Sequence, residues 1–264
     1  MQLEVISREP PGTAHPVPLL FVHGMWHGAW CWDVHFLPYF AQHGYSAHAL
    51  SLRGHGASEG RERLRRYGLA DYVADVEQVA AQMPSPPVLI GHSMGGMIVQ
   101  KYLGRHRAPA AVLLASVPPR GLLPATLRFV RRHPWAFLKA NLTLRMYPAV
   151  GTPALCREMF FSAGMPEEQA AAYCRRIQDE SYRAYLESVF LFLSRPPRIT
   201  TPLLVLGAAD DRAISVGEVE ATAQTYGVRA EIFSDMAHDM MLEAGWRAVA
   251  DRILAWLAEQ PDLS

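Results

Sequence analysis

The stretch Val88-Leu89-Ile90-Gly91-His92-Ser93-Met94-Gly95-Gly96 decides the predicted fold. Its apolar start indicates a buried strand, and helical spacing of apolar residues begins at Met94. Between the two elements stands a G-x-S-x-G motif, which is typical of a strained strand-to-helix turn that pushes the serine hydroxyl out of the backbone. Side chains at positions 91 and 95 would prevent such tight packing, so both positions need glycine. The helix that follows directs backbone N–H groups and a positive dipole end towards Ser93.

Outward from this motif, short apolar runs alternate with longer stretches of helical spacing. This alternation predicts an α/β fold, with a mostly parallel sheet flanked by helices. The predicted strands are Val17–Val22, Tyr45–Leu50, Pro87–Ile90, Ala110–Ser116, Pro202–Leu206 and Arg229–Phe233. The predicted helices are Cys31–Gln42, Leu69–Met83, Met94–Arg105, Val216–Tyr226 and Trp246–Ala258.

The middle of the chain interrupts this alternation. Pro118-Pro119 and Pro196-Pro197 bracket a segment that has helix-like stretches, many aromatic and Met residues and no clear strand. A proline pair continues neither a helix nor a central strand, so each pair marks a joint. We therefore predict a core formed by residues 1–117 and 198–264, with a helical cap at 118–197. The alternative is that the segment adds one more helical layer to the core.

A serine hydroxyl becomes a good nucleophile only when a base takes its proton. On this kind of turn the base is a His after the last strand, and the acid follows an earlier strand. His238 is the only histidine after His133, which makes it the candidate base. Asp210, Asp211 and Asp235 are the candidate acids. We favour Asp210 because it is the first carboxylate after its strand, and we expect Asp211 to cap the loop.

Backbone N–H groups should stabilise the oxyanion that forms in acyl transfer. One candidate is the N–H of Met94, directly after the serine, and the second is the N–H of Met25 in the loop His23–Gly28. His23 and His27 stand four residues apart, but Gly24 occupies the place of the glutamate that a zinc-binding HExxH motif requires. We therefore predict neither a metal nor a cofactor.

Together, the serine turn, the His-Gly loop, the late aspartate and the final histidine resemble the α/β-hydrolase superfamily over nearly the whole chain. The run Arg53-Gly54-His55-Gly56-Ala57-Ser58 is similar to monoacylglycerol lipases and lysophospholipases. His23–Trp32 and His238-Asp239-Met240-Met241-Leu242 resemble plant-type esterases and hydroxynitrile lyases. The resemblance implies an open sheet of about eight strands, a cap over the site and metal-free esterase chemistry. Ser51 departs from it, because many relatives have Asp there, and we expect this position to be structural.

Composition limits the partners and the cellular location. The chain has 264 residues, of which half are hydrophobic, and its 25 Lys and Arg balance 25 Asp and Glu. This balance argues against a nucleic-acid partner. No apolar run is long enough to span a membrane, and we expect no signal peptide because the N-terminal residues lack a basic start and a long apolar core. Cys31, Cys156 and Cys174 form no CxxC pair, so we expect buried free thiols in a reducing compartment, the cytoplasm.

The residues thus predict a serine hydrolase of carboxylic esters that have apolar acyl or aromatic groups. Trp26, Trp30 and Met240 are the candidate substrate-binding residues because they flank the oxyanion loop and the base. Two alternatives stay open. In the first, the same triad catalyses a different reaction, as in a lyase, a perhydrolase or a biosynthetic tailoring enzyme. In the second, the protein is a ligand-binding receptor that has this fold. We interpret the basic run Arg61–Arg66 as a solvent-exposed surface. The alternative is that it binds an anionic head group.

Overall fold

A seven-stranded sheet forms the centre of the computed structural model, which describes residues 1–193 and 195–260. The strands are β1 (Val5–Arg8), β2 (Leu19–Val22), β3 (Ala47–Leu50), β4 (Val88–His92), β5 (Ala111–Leu114), β6 (Leu203–Ala208) and β7 (Ala230–Phe233). Their order is β1-β3-β2-β4-β5-β6-β7. All neighbouring strands pair in parallel except β1, which is antiparallel to β3. Strands β2, β4, β5 and β6 are buried along their whole length, as expected for a parallel sheet covered on both faces.

Helices cover the sheet and fill the segment between β5 and β6. The core helices are α1 (Trp30–Asp33), α2 (Phe36–Gln42), α3 (Leu69–Ala80), α4 (Met94–Leu103), α10 (Val216–Thr225) and α11 (Trp246–Ala258). Between β5 and β6 lie α5 (Leu123–Arg132), α6 (Pro134–Thr143), α7 (Pro153–Phe160), α8 (Glu167–Cys174) and α9 (Tyr182–Val189). We call residues 118–197 the insertion. Two parts of the predicted segments lie outside the described residues: residue 194 of the predicted cap and residues 261–264 of the predicted core segment 198–264.

The predicted alternation of strands and helices is confirmed, and two differences have simple causes. The apolar spacing of residues 31–42 predicts one helix, but the structure has α1 and α2 with a break at residues 34–35. One continuous helix would place Pro38 in its interior, whereas the break puts Pro38 in the first turn of α2, where its missing N–H costs nothing. Strand β1 escapes the sequence pattern because it is an edge strand with mostly exposed residues.

A buried carboxylate joins the insertion to the core. Glu180 precedes α9 and is fully buried. Its Oε2 lies 3.1 Å from His55 Nε2, and its Oε1 accepts a hydrogen bond from the Tyr72 hydroxyl at 2.8 Å. Burial lowers the pKa of His55, but the charge of Glu180 and the bond to it outweigh burial, so the net pKa is raised. The Arg-Gly-His-Gly turn of the sequence therefore holds the insertion in place.

Ser51 has a structural contact that fits its expected role. Its hydroxyl donates a hydrogen bond to Glu4 Oε2 at 2.5 Å and accepts one from the Ala29 N–H at 2.8 Å. The same Glu4 oxygen accepts a hydrogen bond from the Ala57 N–H at 3.1 Å. A carboxylate therefore reaches this turn from Glu4, although the local position carries a serine.

The cysteines differ from the prediction. Cys156 in α7 and Cys174 in α8 form a disulfide, with their Cα atoms 6.0 Å apart, so the expectation of three free thiols is wrong. Cys31 alone is a free thiol, and burial raises its pKa. Sequence spacing does not show that α7 and α8 pack together, which is what brings the two sulfurs into contact. The inference of a reducing compartment from free thiols loses its basis. Within residues 1–193 and 195–260, no helix has the length and apolarity needed to cross a membrane.

We expect Glu180→Gln to lower the free energy of unfolding by about 3 kcal/mol, because it leaves His55 without its buried counter-charge. Urea unfolding followed by circular dichroism measures the change. The control is Glu167→Gln, the same substitution at an exposed position of α8, which should change stability by less than about 0.5 kcal/mol. Equal stability of the two variants would contradict the role of Glu180 as an attachment point.

Candidate active site

Ser93 lies at the turn between β4 and α4 with φ of 53° and ψ of −119°, a conformation that non-glycine residues rarely adopt. The turn is held by close backbone packing. A Cβ atom at position 91 would lie 2.6 Å from the Gly95 carbonyl oxygen, and one at position 95 would lie 2.2 Å from the Val22 oxygen. The Ser93 N–H donates to the Leu114 oxygen of β5 at 3.0 Å. The glycines of the motif thus have the steric role that the sequence indicates.

Three side chains from distant parts of the chain meet at this turn. His238 Nε2 lies 2.9 Å from Ser93 Oγ, and His238 Nδ1 lies 2.7 Å from Asp211 Oδ2. All three residues are less than a tenth exposed. Burial lowers the pKa of His238, but the charge of Asp211 and its hydrogen bond raise the pKa by more, so the net shift is upward. This arrangement can take a proton from the serine and hold it on the imidazole.

The preference for Asp210 as the partner of His238 is wrong. Strand β6 ends at Ala208, and the turn after it leaves Asp210 exposed, with its N–H bonded to the Met236 oxygen. Asp211 points inward. Its Oδ1 accepts hydrogen bonds from the N–H groups of Ala213 and Ile214 at 2.7 and 2.9 Å, which leaves Oδ2 for His238. Asp211 therefore caps the loop as expected and also contacts the imidazole.

The third candidate acid, Asp235, is exposed. It lies in the same loop as His238, which is why the sequence admits it as a candidate, but the carboxylate that His238 Nδ1 contacts is that of Asp211. Adjacent aspartates and a third one nearby cannot be separated by chain order. Only the turn geometry selects Asp211.

The loop that contains Met25 lies directly against the serine. A Cβ atom at position 24 would lie 2.8 Å from Ser93 Cβ, so only glycine allows this approach. Met25 follows at once and lines the cavity above Ser93, while Met94 is the first residue of α4. Both predicted oxyanion residues are therefore next to Ser93, and the assignment of their N–H groups as oxyanion donors stays a prediction.

Sequence reasoning missed a second buried pair behind the first. His27 Nδ1 lies 2.8 Å from the Met25 oxygen, and His27 Nε2 lies 3.0 Å from Asp239 Oδ2. Both ring nitrogens therefore lie within hydrogen-bond distance of an oxygen. Burial raises the pKa of Asp239, but the charge of His27 and its hydrogen bond reverse this effect and lower it. The pair connects the Met25 loop to the residue after His238. The repeated His-Gly pattern and the His-Asp dipeptide are the sequence signals for it.

His92, inside the serine motif, supports the same region. Its Nε2 donates to the His238 backbone oxygen at 2.9 Å. Burial and the neighbouring His238 lower the pKa of His92 to about 3, so its ring is neutral near pH 7. Among the described residues, no group of three or more His, Cys, Asp or Glu side chains has an arrangement suited to a metal ion.

A mostly apolar cavity opens above Ser93 and His238, between the core and the insertion. Trp26 lines it as predicted, but Trp30 and Met240 do not line it. Trp30 packs against His27 and lies under the Arg176 guanidinium, and Met240 is fully buried behind His238. The helices of the insertion and the loop after β6 supply most of the other lining residues: Leu122, Ala125, Thr126, Phe129, Arg132, Phe137, Ala140, Asn141, Met146, Ala149, Met159, Tyr185, Arg212, Ala213 and Ile214. Composition indicates these residue types, but it does not show which helix face turns towards Ser93.

We expect Asp211→Asn to lower the pKa of His238 below the ordinary histidine value of about 6.5, because burial remains while the compensating charge is removed. NMR titration of the His238 ring, assigned with His238→Gln, measures the shift. Asp210→Asn is the matched control and should leave the titration of His238 unchanged. A shift of the same size in both variants would contradict the pairing of Asp211 with His238.

Comparisons with known proteins identify the family of this chain. The sequence profile of the Alpha/beta hydrolase family matches residues 19–252. A non-heme haloperoxidase of Rhodococcus erythropolis is 36% identical over 106 residues, which are 39% of this chain and 38% of that protein. A probable esterase of Oryza sativa subsp. indica is 35% identical over 111 residues, 38% of this chain and 39% of its own. The chain thus matches about two fifths of the length of these relatives.

Similarity of structure extends over nearly the whole chain. An esterase from Exiguobacterium antarcticum superposes with a TM-score of 0.73 and 18% identity, covering 96% of this chain and 94% of that one. At this level of identity the superposition shows the shared fold. The profile match spans six of the seven strands, β2 to β7, and includes the serine turn. The chain therefore belongs to the alpha/beta hydrolase family.

Proposed function

We propose that the protein is a serine hydrolase that cleaves carboxylic esters with apolar acyl or aromatic groups through an acyl-enzyme. The observation that carries the proposal is the contact of Ser93 Oγ with His238 Nε2 at 2.9 Å, with Asp211 behind the imidazole at 2.7 Å. Family membership and esterase-like relatives support ester hydrolysis in general. The mostly apolar lining of the cavity supports the finer choice of substrate.

In the first stage, Ser93 Oγ attacks the ester carbonyl carbon while His238 Nε2 takes the hydroxyl proton. Asp211 holds the ring by its Nδ1–H and stabilises the imidazolium that forms. The N–H groups of Met25 and Met94 donate hydrogen bonds to the developing oxyanion. His238 then gives its proton to the leaving alcohol oxygen, and the C–O bond breaks to leave Ser93 acylated. In the second stage, water attacks the acyl group by the same route, and the acid is released.

The insertion acts as a cap in this proposal. Its helices supply Phe129, Phe137 and Met159 to the cavity wall above the serine. An apolar wall excludes water from the acyl chain and strengthens the electrostatic interactions at the oxyanion.

We therefore expect p-nitrophenyl hexanoate to be hydrolysed with a higher kcat/KM than p-nitrophenyl acetate.

Peroxide attack on the same acyl-enzyme is the second candidate, because one relative is named a non-heme haloperoxidase. Hydrogen peroxide then replaces water in the second stage and yields a peracid. Peracid formation in the presence of ester and peroxide, and its absence in Ser93→Ala, would favour a perhydrolase. If the protein is instead a lyase, p-nitrophenyl esters should not be turned over. If it is a ligand-binding receptor, a fluorophosphonate probe should not label Ser93.

We expect Ser93→Ala to remove covalent labelling by a fluorophosphonate probe and to lower p-nitrophenyl ester hydrolysis by at least about 10⁴-fold, because the nucleophile is lost. Mass spectrometry of the labelled peptide identifies the modified residue. Ser85→Ala, which changes a serine that does not line the cavity, is the control and should retain labelling and activity. Full activity of Ser93→Ala would refute the proposal.

The acid limb of the pH profile tests the role of His238. The base must be neutral to accept a proton, so kcat/KM falls as the pH drops through the pKa of His238. Because that pKa is raised, we expect the half-point of the fall above pH 6.5. In Asp211→Asn the rate should fall by about 10⁴-fold and the limb should move to lower pH. Asp210→Asn should keep the wild-type profile. An unchanged limb in Asp211→Asn would count against the assignment.

A further inference from the structure

The cavity above Ser93 contains two arginines that the proposed chemistry does not use. Arg132 is the last residue of α5, and Arg212 directly follows Asp211 in the loop after β6. Both line the same cavity as Ser93 and His238, and no acidic residue is found among its lining residues in the described part of the chain. The wall otherwise consists of apolar side chains and a few neutral polar ones. The cavity thus combines a reactive polar site, apolar surface and a pair of permanent positive charges.

One carboxylate only partly neutralises this pair. Glu158 Oε1 lies 3.5 Å from Arg132 Nη1 and 3.3 Å from Arg212 Nη1, and it also lies 3.1 Å from His133 Nε2. Partial burial raises the pKa of Glu158, but the hydrogen bond from His133 and the charge of Arg212 lower it by more, so the group is ionised at neutral pH. Two guanidinium groups around a single carboxylate leave one net positive charge. Each has five N–H donors, more than Glu158 can satisfy.

The surrounding chain increases the positive potential. Residues 118–157 of the insertion contain no Asp or Glu. Three of its cations have acidic partners from outside this range. Besides Arg132 with Glu158, Arg128 pairs with Glu218, and Arg145 lies 3.6 Å from Asp179. A one-sided charge distribution beside a low-dielectric cavity attracts anions and raises their local concentration. The cations of this range are Arg120, Arg128, Arg131, Arg132, Lys139, Arg145 and Arg157.

We propose that the substrate is an ester with an anionic group, a carboxylate in the first instance, at the far end of an apolar segment, and that Arg132 and Arg212 bind this group. The inference rests on the proposed ester hydrolysis and names its substrate class. The planar guanidinium fork matches the two oxygens of a carboxylate, which a neutral amide cannot replace. The anionic group belongs to either the acyl or the alcohol arm of the ester, and both are tested.

A purely structural role of the two arginines is the competing account. Arg132 Nη2 donates to the Arg212 backbone oxygen at 3.0 Å, so the pair also joins the insertion to the core. Loss of this contact would affect all substrates alike. A ratio of rates for two substrates that differ only in charge separates binding of an anion from loss of structure.

The test compares p-nitrophenyl esters that end in a carboxylate with the same esters ending in a carboxamide, over a series of chain lengths. At the best length we expect the wild type to hydrolyse the carboxylate with a kcat/KM at least about 10-fold above that of the carboxamide, with a preference that shrinks as salt is added. A second series places the same two end groups on the alcohol arm of acetyl esters. Arg132→Gln, Arg212→Gln and the double variant should bring the ratio towards one.

The control is Arg131→Gln, which changes the neighbouring arginine that does not line the cavity and should keep the wild-type ratio. A ratio near one in the wild type for both series, or a preference that persists in the double variant, would overturn the inference. If carboxamide esters are still hydrolysed and Ser93 is still labelled in that case, the proposed function stands without it. If no ester reacts and the fluorophosphonate probe does not label Ser93, the proposed function itself fails.

Discussion

The left-handed backbone at Ser93 is the constraint on which the rest of the site depends. A serine at φ of 53° is strained, and the strain is sustained because the backbones of β2, β4 and α4 pack against each other without intervening side chains. Gly91 and Gly95 allow that contact, and Gly24 allows the Met25 loop to pack directly against Ser93. The hydroxyl is thereby fixed at the carboxyl edge of the sheet. His238 and Asp211 reach it from loops after neighbouring strands, since parallel strands end at the same edge.

Three hydrogen-bonded pairs of a buried His and a buried carboxylate position segments of the core and the insertion. His238 and Asp211 face the serine, His27 and Asp239 connect the Met25 loop to the His238 loop, and His55 and Glu180 attach the insertion. Removing one partner from a buried pair leaves an uncompensated charge, which costs about 3–5 kcal/mol. Such pairs specify where loops sit more than they add to stability, and here each pair joins segments far apart in the chain. Buried pairs therefore position the core side of the site, while most of the cavity wall above it comes from the insertion.

Particular residues show which parts of the fold and the site can be predicted from the sequence. The pattern around Val88–Gly96 and the alternation of strands and helices predict the sheet, because local periodicity follows from which faces are buried. Ser93 and His238 follow from the motif and from chain order. The choice between Asp210 and Asp211 fails because it depends on the turn after Ala208, and the Cys156–Cys174 disulfide is missed because it depends on how α7 packs on α8. The cap boundaries at 118–197 and the oxyanion donors stay predictions.

The sequence by itself determined the α/β class, the serine turn with its required glycines, and the histidine that follows the last strand. Each is a local pattern or an order along the chain. Only the tertiary structure decided that Asp211 faces the imidazole, that His27 pairs with Asp239, and which residues of the insertion line the cavity. These facts concern side chains that are remote in sequence and meet through the packing of loops and helix faces. A small change in a turn or in the orientation of a helix changes which side chain faces the site, although the apolar pattern of the sequence stays the same.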